Sequence, residues 1–226
     1  MPRESKAKKL TRALAVAECL GKRYPQADLE FVLDDPFTVV ITVLLSAQTT
    51  DAAVDKVTPE LFSRWPDPQT MAQADQSEIE EVIRTIGFFH IKAKHCIACA
   101  RMILSDFDGK VPDTMEELIR LPGVGRKTAN LVLSDAFGII EGIAVDTHVF
   151  RIAHKLGFSS ASSDTPEKTE QDLLALYPKE MWGPINHQWI LFGREICTAR
   201  NPRCHVCPLN DLCPSCSIGN NTKPGV

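Results

Sequence analysis

Apolar residues recur along most of this chain at the three-to-four spacing of helices, and almost nowhere with the alternation of half-buried strands. Pro36 opens the run FTVVITVLLSAQ at 37–48, whose apolar positions lie nearly all round. That pattern predicts a buried helix, although its β-branched residues favour a strand. Met71, Ala74, Ile79, Val82 and Ile83 predict a helix over 69–85, and Ala93, Ile97, Ala100, Ile103 and Leu104 predict another over 91–104. Asp113 followed by Glu116 reads as a capping box ahead of Met115, Leu118 and Ile119. Further helices are predicted over 127–136, 146–156 with Asp146 as N-cap, 167–176 and 186–197, with a polar linker at 159–164. The sequence lacks a convincing strand pattern and a dinucleotide-binding glycine set, so the predicted fold class is all-α.

Composition changes this picture little, whereas the positions of a few residues change it much. The 226 residues are 44% hydrophobic and 24% charged, which suits a globular chain and excludes a collagen or a membrane bundle. The longest apolar stretch, Val39 to Ala47, is broken by Thr42 and Ser46, far short of the roughly 18 residues that span a bilayer. Five Lys/Arg in MPRESKAKKLTR precede no apolar run, so no secretory signal and a cytoplasmic setting are expected. There, eight cysteines read as metal ligands rather than disulfides, and five of them crowd into residues 197–216. Cys96 and Cys99 read as core. Residues 217–226 read as a disordered tail.

The formal charge of −4 does not exclude nucleic acid, because charge location outweighs the sum. Pro122-Gly123-Val124-Gly125 joins two helical runs. Its glycines allow positive φ and close backbone approach, and the helix after it opens with free N–H groups that can hold a phosphate. A plain helical hairpin explains the same residues. Lys127, just inside that helix, sits in a field that favours the free amine, the form that attacks carbon; a solvated or phosphate-pairing lysine is the bland alternative. Asp146 is either only a cap or a rigid carboxylate able to stabilise an oxocarbenium-like sugar. His148 beside it reads as structural.

LPGVGRKTANLVL at 121–133 followed by AVDTHVFRIAHKLG at 144–157 closely resembles the endonuclease III branch of the helix-hairpin-helix DNA glycosylases. LLSAQTTD at 44–51 and TIGFFHIKAK at 85–94 match in the same order, and the resemblance covers about residues 10–213. It implies a bifunctional base-excision enzyme, a DNA glycosylase and apurinic/apyrimidinic lyase, acting as a monomer on oxidised pyrimidines in damaged duplex DNA. Lys127 would be the nucleophile and Asp146 its carboxylate partner, with strand cleavage on the 3′ side by β-elimination. Gln48 would enter the gap left by an extruded base. Phe88 would stand at the second wedge position, where leucine is familiar. Gly123, Val124 and Gly125 would hold phosphate.

Cys197, Cys204, Cys207 and Cys213, spaced x6, x2 and x5, resemble the family's [4Fe–4S] site. Counting alone favours a zinc knuckle from the pairs Cys204/Cys207 and Cys213/Cys216; the resemblance chooses Cys197 and leaves Cys216 over. It also implies that Arg200 and Arg203 touch DNA. Two lobes are expected: residues 29–139 with the hairpin, and 1–28 with 140–216 around the cluster. DNA would lie across the groove between them, with Lys127 and Asp146 facing each other. Rival readings are a monofunctional mismatch or uracil glycosylase, a non-catalytic helix-hairpin-helix module and an electron carrier. Lys127 with Asp146 argues against all three.

Overall fold

The computed structural model describes residues 4–25 and 35–216. In chain order the helices are α1 (Lys6–Arg23), α2 (Pro36–Ser46), α3 (Asp51–Arg64), α4 (Pro68–Ala72), α5 (Gln76–Ile83) and α6 (Phe89–Asp106). There follow α7 (Met115–Leu118), α8 (Arg126–Phe137), α9 (Thr147–Lys155), α10 (Pro166–Leu176) and α11 (Trp182–Glu195). Short 3₁₀ turns occupy Lys179–Met181, Cys204–Val206 and Asn210–Leu212. Among the described residues there is no strand, which bears out the all-α expectation, and no helix is long and apolar enough to cross a membrane. The predicted tail at 217–226 and the expected boundary near residue 29 lie outside the described residues.

Side-chain caps decide where several of these helices begin. The single helix expected over 69–85 is two. Asp67 and Thr70 form a capping box that opens α4, and the Asp75 carboxylate accepts from the Ser77 amide at 2.8 Å to open α5. The box expected at Asp113 does not form; the cap of α7 lies one residue later and is not reciprocal. The Thr114 hydroxyl accepts from the Glu117 amide at 3.3 Å and donates to the Glu117 carboxylate at 2.9 Å. The run after Pro36 is helical despite its β-branched residues. Phe37, Val39, Val40, Ile41, Leu44 and Leu45 are all buried, so packing on several sides overrides propensity.

The chain forms two compact units: one is Val32–Glu141, the other Met1–Phe31 with Gly142–Val226. In the first, α4 and α5 pack on α6, and α2 packs on both α6 and α8, around a core that includes Leu45, Leu61, Met71, Ile79 and Ile103. In the second, α9 packs on α11 and α1 on α10 and α11, around Phe158, Trp189 and Phe192. The polar stretch after α9 is pinned rather than loose. The Asp172 carboxylate accepts from Ser159 Oγ at 2.7 Å, Ser163 Oγ at 2.6 Å and the Ser160 amide at 3.1 Å. Burial opposes ionisation of Asp172, but the hydrogen bonds from Ser163, Ser159 and Ser160 outweigh it and hold the carboxyl below its usual range.

Candidate functional site

The hairpin is a tight turn seated on its own unit. The Val124 amide donates to the Leu121 carbonyl at 3.0 Å, Pro122 supplies the first central residue, and Gly123 takes φ +83°, the signature of a type II turn. A Cβ at Gly123 would lie 2.9 Å from His95 Nδ1 and 3.0 Å from the Leu44 side chain. That position therefore faces inward, against α6 and α2. Gly125 differs from the expectation that both glycines serve alike. Its backbone is extended, with φ −95° and ψ 177°, and a Cβ there would meet nothing within 4 Å. Val124 between them is buried and anchors the loop. Gly125 is the N-cap of α8 and brings no capping side chain. Half-buried Lys127 is the second residue of that helix.

Asp146, in the other unit, is the N-cap of α9, and its carboxylate accepts from the Val149 amide at 2.8 Å. The residues leading to it, Ile143, Ala144 and Val145, are buried, and buried Asn186 donates from Nδ2 to the Ala144 carbonyl at 2.7 Å. The Asp146 side chain is thus held by the first turn of α9, and the segment leading to it by Asn186. His148, two residues on, packs against Gly193 of α11, where no Cβ fits; this agrees with the structural reading of that histidine. Arg151 donates to the Cys197 carbonyl at 2.7 Å, so the helix capped by Asp146 also fixes the first clustered cysteine.

Gln48 and Phe88 share an unusual backbone. Among the described residues, three other than glycine have positive φ: Gln48 at 53°, Phe88 at 59° and Asp108 at 51°. For an aromatic residue this is a true outlier, and such strain concentrates at functional positions. Both side chains are exposed, Phe88 by 64%. Phe88 is therefore not core, the reading its residue type suggests without the family likeness. Lys92, which sequence reasoning passed over, is buried beneath them. The available signal was its place on the stripe of Cys96, Cys99 and Ile103, where a lysine interrupts apolar residues.

Cys197, Cys204, Cys207, Cys213 and Cys216 line one cavity, together with apolar Ile152, Leu156, Phe192, Ile196 and Leu209. Burial pushes the Cys207 thiol up to about 11, and the neighbouring Cys197, Cys213 and Cys204 add to the shift. Burial raises Cys197 and Cys213 as well. Thiols so placed are poor acids alone and become thiolates on binding metal. Four or more thiolate donors gathered on one largely apolar cavity suit iron–sulfur ligation. Cys96 and Cys99 are fully buried in the core, Cys99 pushed up to about 12 by burial. Arg200 and Arg203 are exposed on the loop between the first two cysteines, which the Arg203 amide ties to the Ile196 carbonyl at 2.9 Å.

Comparison with known proteins places these features in context. Residues 41–179 match the family model for HhH-GPD superfamily base excision DNA repair proteins. Residues 197–213 match that for the iron–sulfur binding domain of endonuclease III, beginning at Cys197 and ending at Cys213. The chain is 46% identical over 209 residues to "Endonuclease III" of Synechocystis sp., covering 92% of this chain and 94% of that protein. It is 43% identical over 194 residues to "Endonuclease III" of Bacillus subtilis, covering 86% and 88% respectively. A solved structure of a trapped endonuclease III–DNA covalent intermediate matches with a TM-score of 0.87 and 39% identity, over 96% of this chain and 100% of that one.

Proposed function

This chain belongs to the endonuclease III family of helix-hairpin-helix DNA glycosylases, and from that membership we propose which of its residues carry each step. It is a base-excision repair enzyme, a DNA glycosylase and apurinic/apyrimidinic lyase, and it binds DNA and carries a [4Fe–4S] cluster.

Gly125 and the opening amides of α8 receive a backbone phosphate of damaged duplex DNA, where an open Cα lets the two backbones approach. An oxidised pyrimidine leaves the stack, and Gln48 and Phe88 fill the space it vacates. The neutral amine of Lys127 attacks C1′. The glycosidic C–N bond breaks with its electron pair going to the base, which takes up a proton. Asp146 offsets the positive charge that develops on the sugar and accepts a proton from the attacking nitrogen. Opening of the C1′–O4′ bond gives an iminium, which acidifies the C2′ hydrogen. Loss of that proton expels the 3′ phosphate oxygen, and water then hydrolyses the imine to return the amine. Cys197, Cys204, Cys207 and Cys213 hold the cluster, which cross-links their loop so that Arg200 and Arg203 meet the phosphate backbone. We read the enzyme as a monomer of the cytoplasm.

The observation that carries this reading is Lys127 at the second position of a helix whose glycine cap leaves its entrance clear. A structural relative trapped as a covalent DNA intermediate behaves as an amine nucleophile would. Borohydride reduction during turnover tests it. The wild-type protein should become covalently joined to lesion-bearing duplex. Lys127→Gln should bind that duplex yet give neither the adduct nor the nick. Base release without any adduct would instead indicate a water-activating glycosylase.

A further inference from the structure

Lys92 stands on α6 in line with residues that are almost entirely apolar and buried, and is itself only 5% exposed. A buried ammonium is costly unless hydrogen-bonded, and burial lowers the proton affinity of this one. Its Nζ donates to the Leu45 carbonyl at 2.9 Å and to Thr49 Oγ1 at 2.5 Å. Leu45 is in the last turn of α2, where carbonyls lack helical partners and a cation suits the helix dipole. Thr49 immediately follows Gln48. The two acceptors therefore bracket the segment in which α2 ends and Gln48 turns left-handed. The Lys92 amide, in turn, donates to the Phe88 carbonyl at 3.0 Å, closing the first turn of α6 behind the other left-handed residue.

One residue thus ties together two strained turns, each presenting an exposed side chain. Left-handed backbone outside glycine persists only where surroundings over-determine it. An apolar residue of similar length would fill the same space without the cost of burying a charge, so packing alone does not account for a lysine here. We propose that Lys92 is a positioning residue for damage recognition: its ammonium holds the Gln48 turn in register with the Phe88 cap, so that both side chains are set to enter the duplex when a base leaves it. This rests on the gap-filling roles assigned above.

The test uses the iron-loaded full chain and two duplexes, one undamaged and one carrying an uncleavable abasic analogue, and reads the ratio of their affinities. Lys92→Met should lower that ratio by about tenfold while leaving affinity for undamaged duplex, iron content and melting temperature nearly unchanged. In a cycle with the paired variant Gln48→Ala/Phe88→Ala, adding Lys92→Met should change the ratio by no more than about twofold, because Lys92 acts through those two side chains. Fully additive losses, or an unchanged ratio in Lys92→Met, would overturn the proposal. If Lys92→Met does not fold, Thr49→Val removes one acceptor at constant shape. It should shift the ratio in the same direction, and an unchanged ratio there overturns the proposal equally. A loss in Gln48→Ala with none in Lys92→Met removes only the role of Lys92. No loss in either Gln48→Ala or Phe88→Ala removes the gap-filling assignment, and this proposal with it.

Discussion

Burial pushes the Asp135 carboxyl up to about 7, with a hydrogen bond from Ser134 pulling the other way. In the unfolded chain the same group titrates near 3.9. Between those values the folded chain keeps a proton that the unfolded chain has released, so stability falls as pH rises through this window and levels off above it. Asp135→Asn should therefore raise the melting temperature, with a gain that grows from about pH 5 to pH 7 and reaches on the order of 2–4 kcal/mol. Asp146 poses a different residue-scale question, because the carboxylate that caps α9 is also the one proposed for the chemistry. Asn caps helices as well as Asp does, so Asp146→Asn should melt nearly normally yet turn over roughly 10²–10⁴ times more slowly. Activity assays beside thermal melts separate the two roles. The cap at Asp146 was legible because it is a local matter of one carboxylate and the next turn. The left-handed backbone of Gln48 and Phe88 was not, because neither residue type favours it, and the Lys92 bonds that flank Gln48 come from far along the chain.

At the scale of elements, the hairpin glycines differ: one is needed by the fold, and the other is open to the ligand proposed above. Gly123 has positive φ and no room on the side toward His95. Gly123→Ala should lower stability by about 1–2 kcal/mol from the backbone alone, with more from displacing the imidazole. Gly125 has ordinary extended backbone and open space around it. Gly125→Ala should melt close to wild type and bind damaged and undamaged duplex about equally less well, since a phosphate contact carries no sequence information. Calorimetry and duplex titration of both variants check this division. Most helices were legible from spacing, since α6, α8, α9, α10 and α11 each bury an apolar stripe. Boundaries were less so. The break between α4 and α5 depends on whether Asp75 caps a new helix or faces solvent within a longer one, and the sequence allows both. The shift of the cap from Asp113 to Thr114 is the same ambiguity, one residue wide.

At the scale of the molecule, the all-helical class followed from the absence of alternation. The choice of iron–sulfur over zinc did not follow from counting cysteines, because all five line the same cavity. What distinguishes them is the iron–sulfur family model, whose match runs from Cys197 to Cys213 and leaves Cys216 out. Purified protein should hold about four iron per chain, as Cys-ligated [4Fe–4S] chemistry requires. Cys216→Ser should keep that iron and Cys197→Ser should lose it, as metal analysis and visible absorbance would report; the reverse pattern would favour the paired set. The division into units has a further consequence, in time. A chain emerges from the ribosome N-terminus first. The helix α1 appears early with Ala13, Val16 and Leu20 uncovered, yet α10 and α11, against which it packs, are made only after the whole of Val32–Glu141. That middle unit is contiguous and can close while α1 waits. The clustered cysteines follow later still. Vectorial synthesis thus orders assembly, with the hairpin first and the metal last, and a nascent chain that has emerged from the ribosome only as far as Gly142 would display a folded hairpin before any iron could be installed.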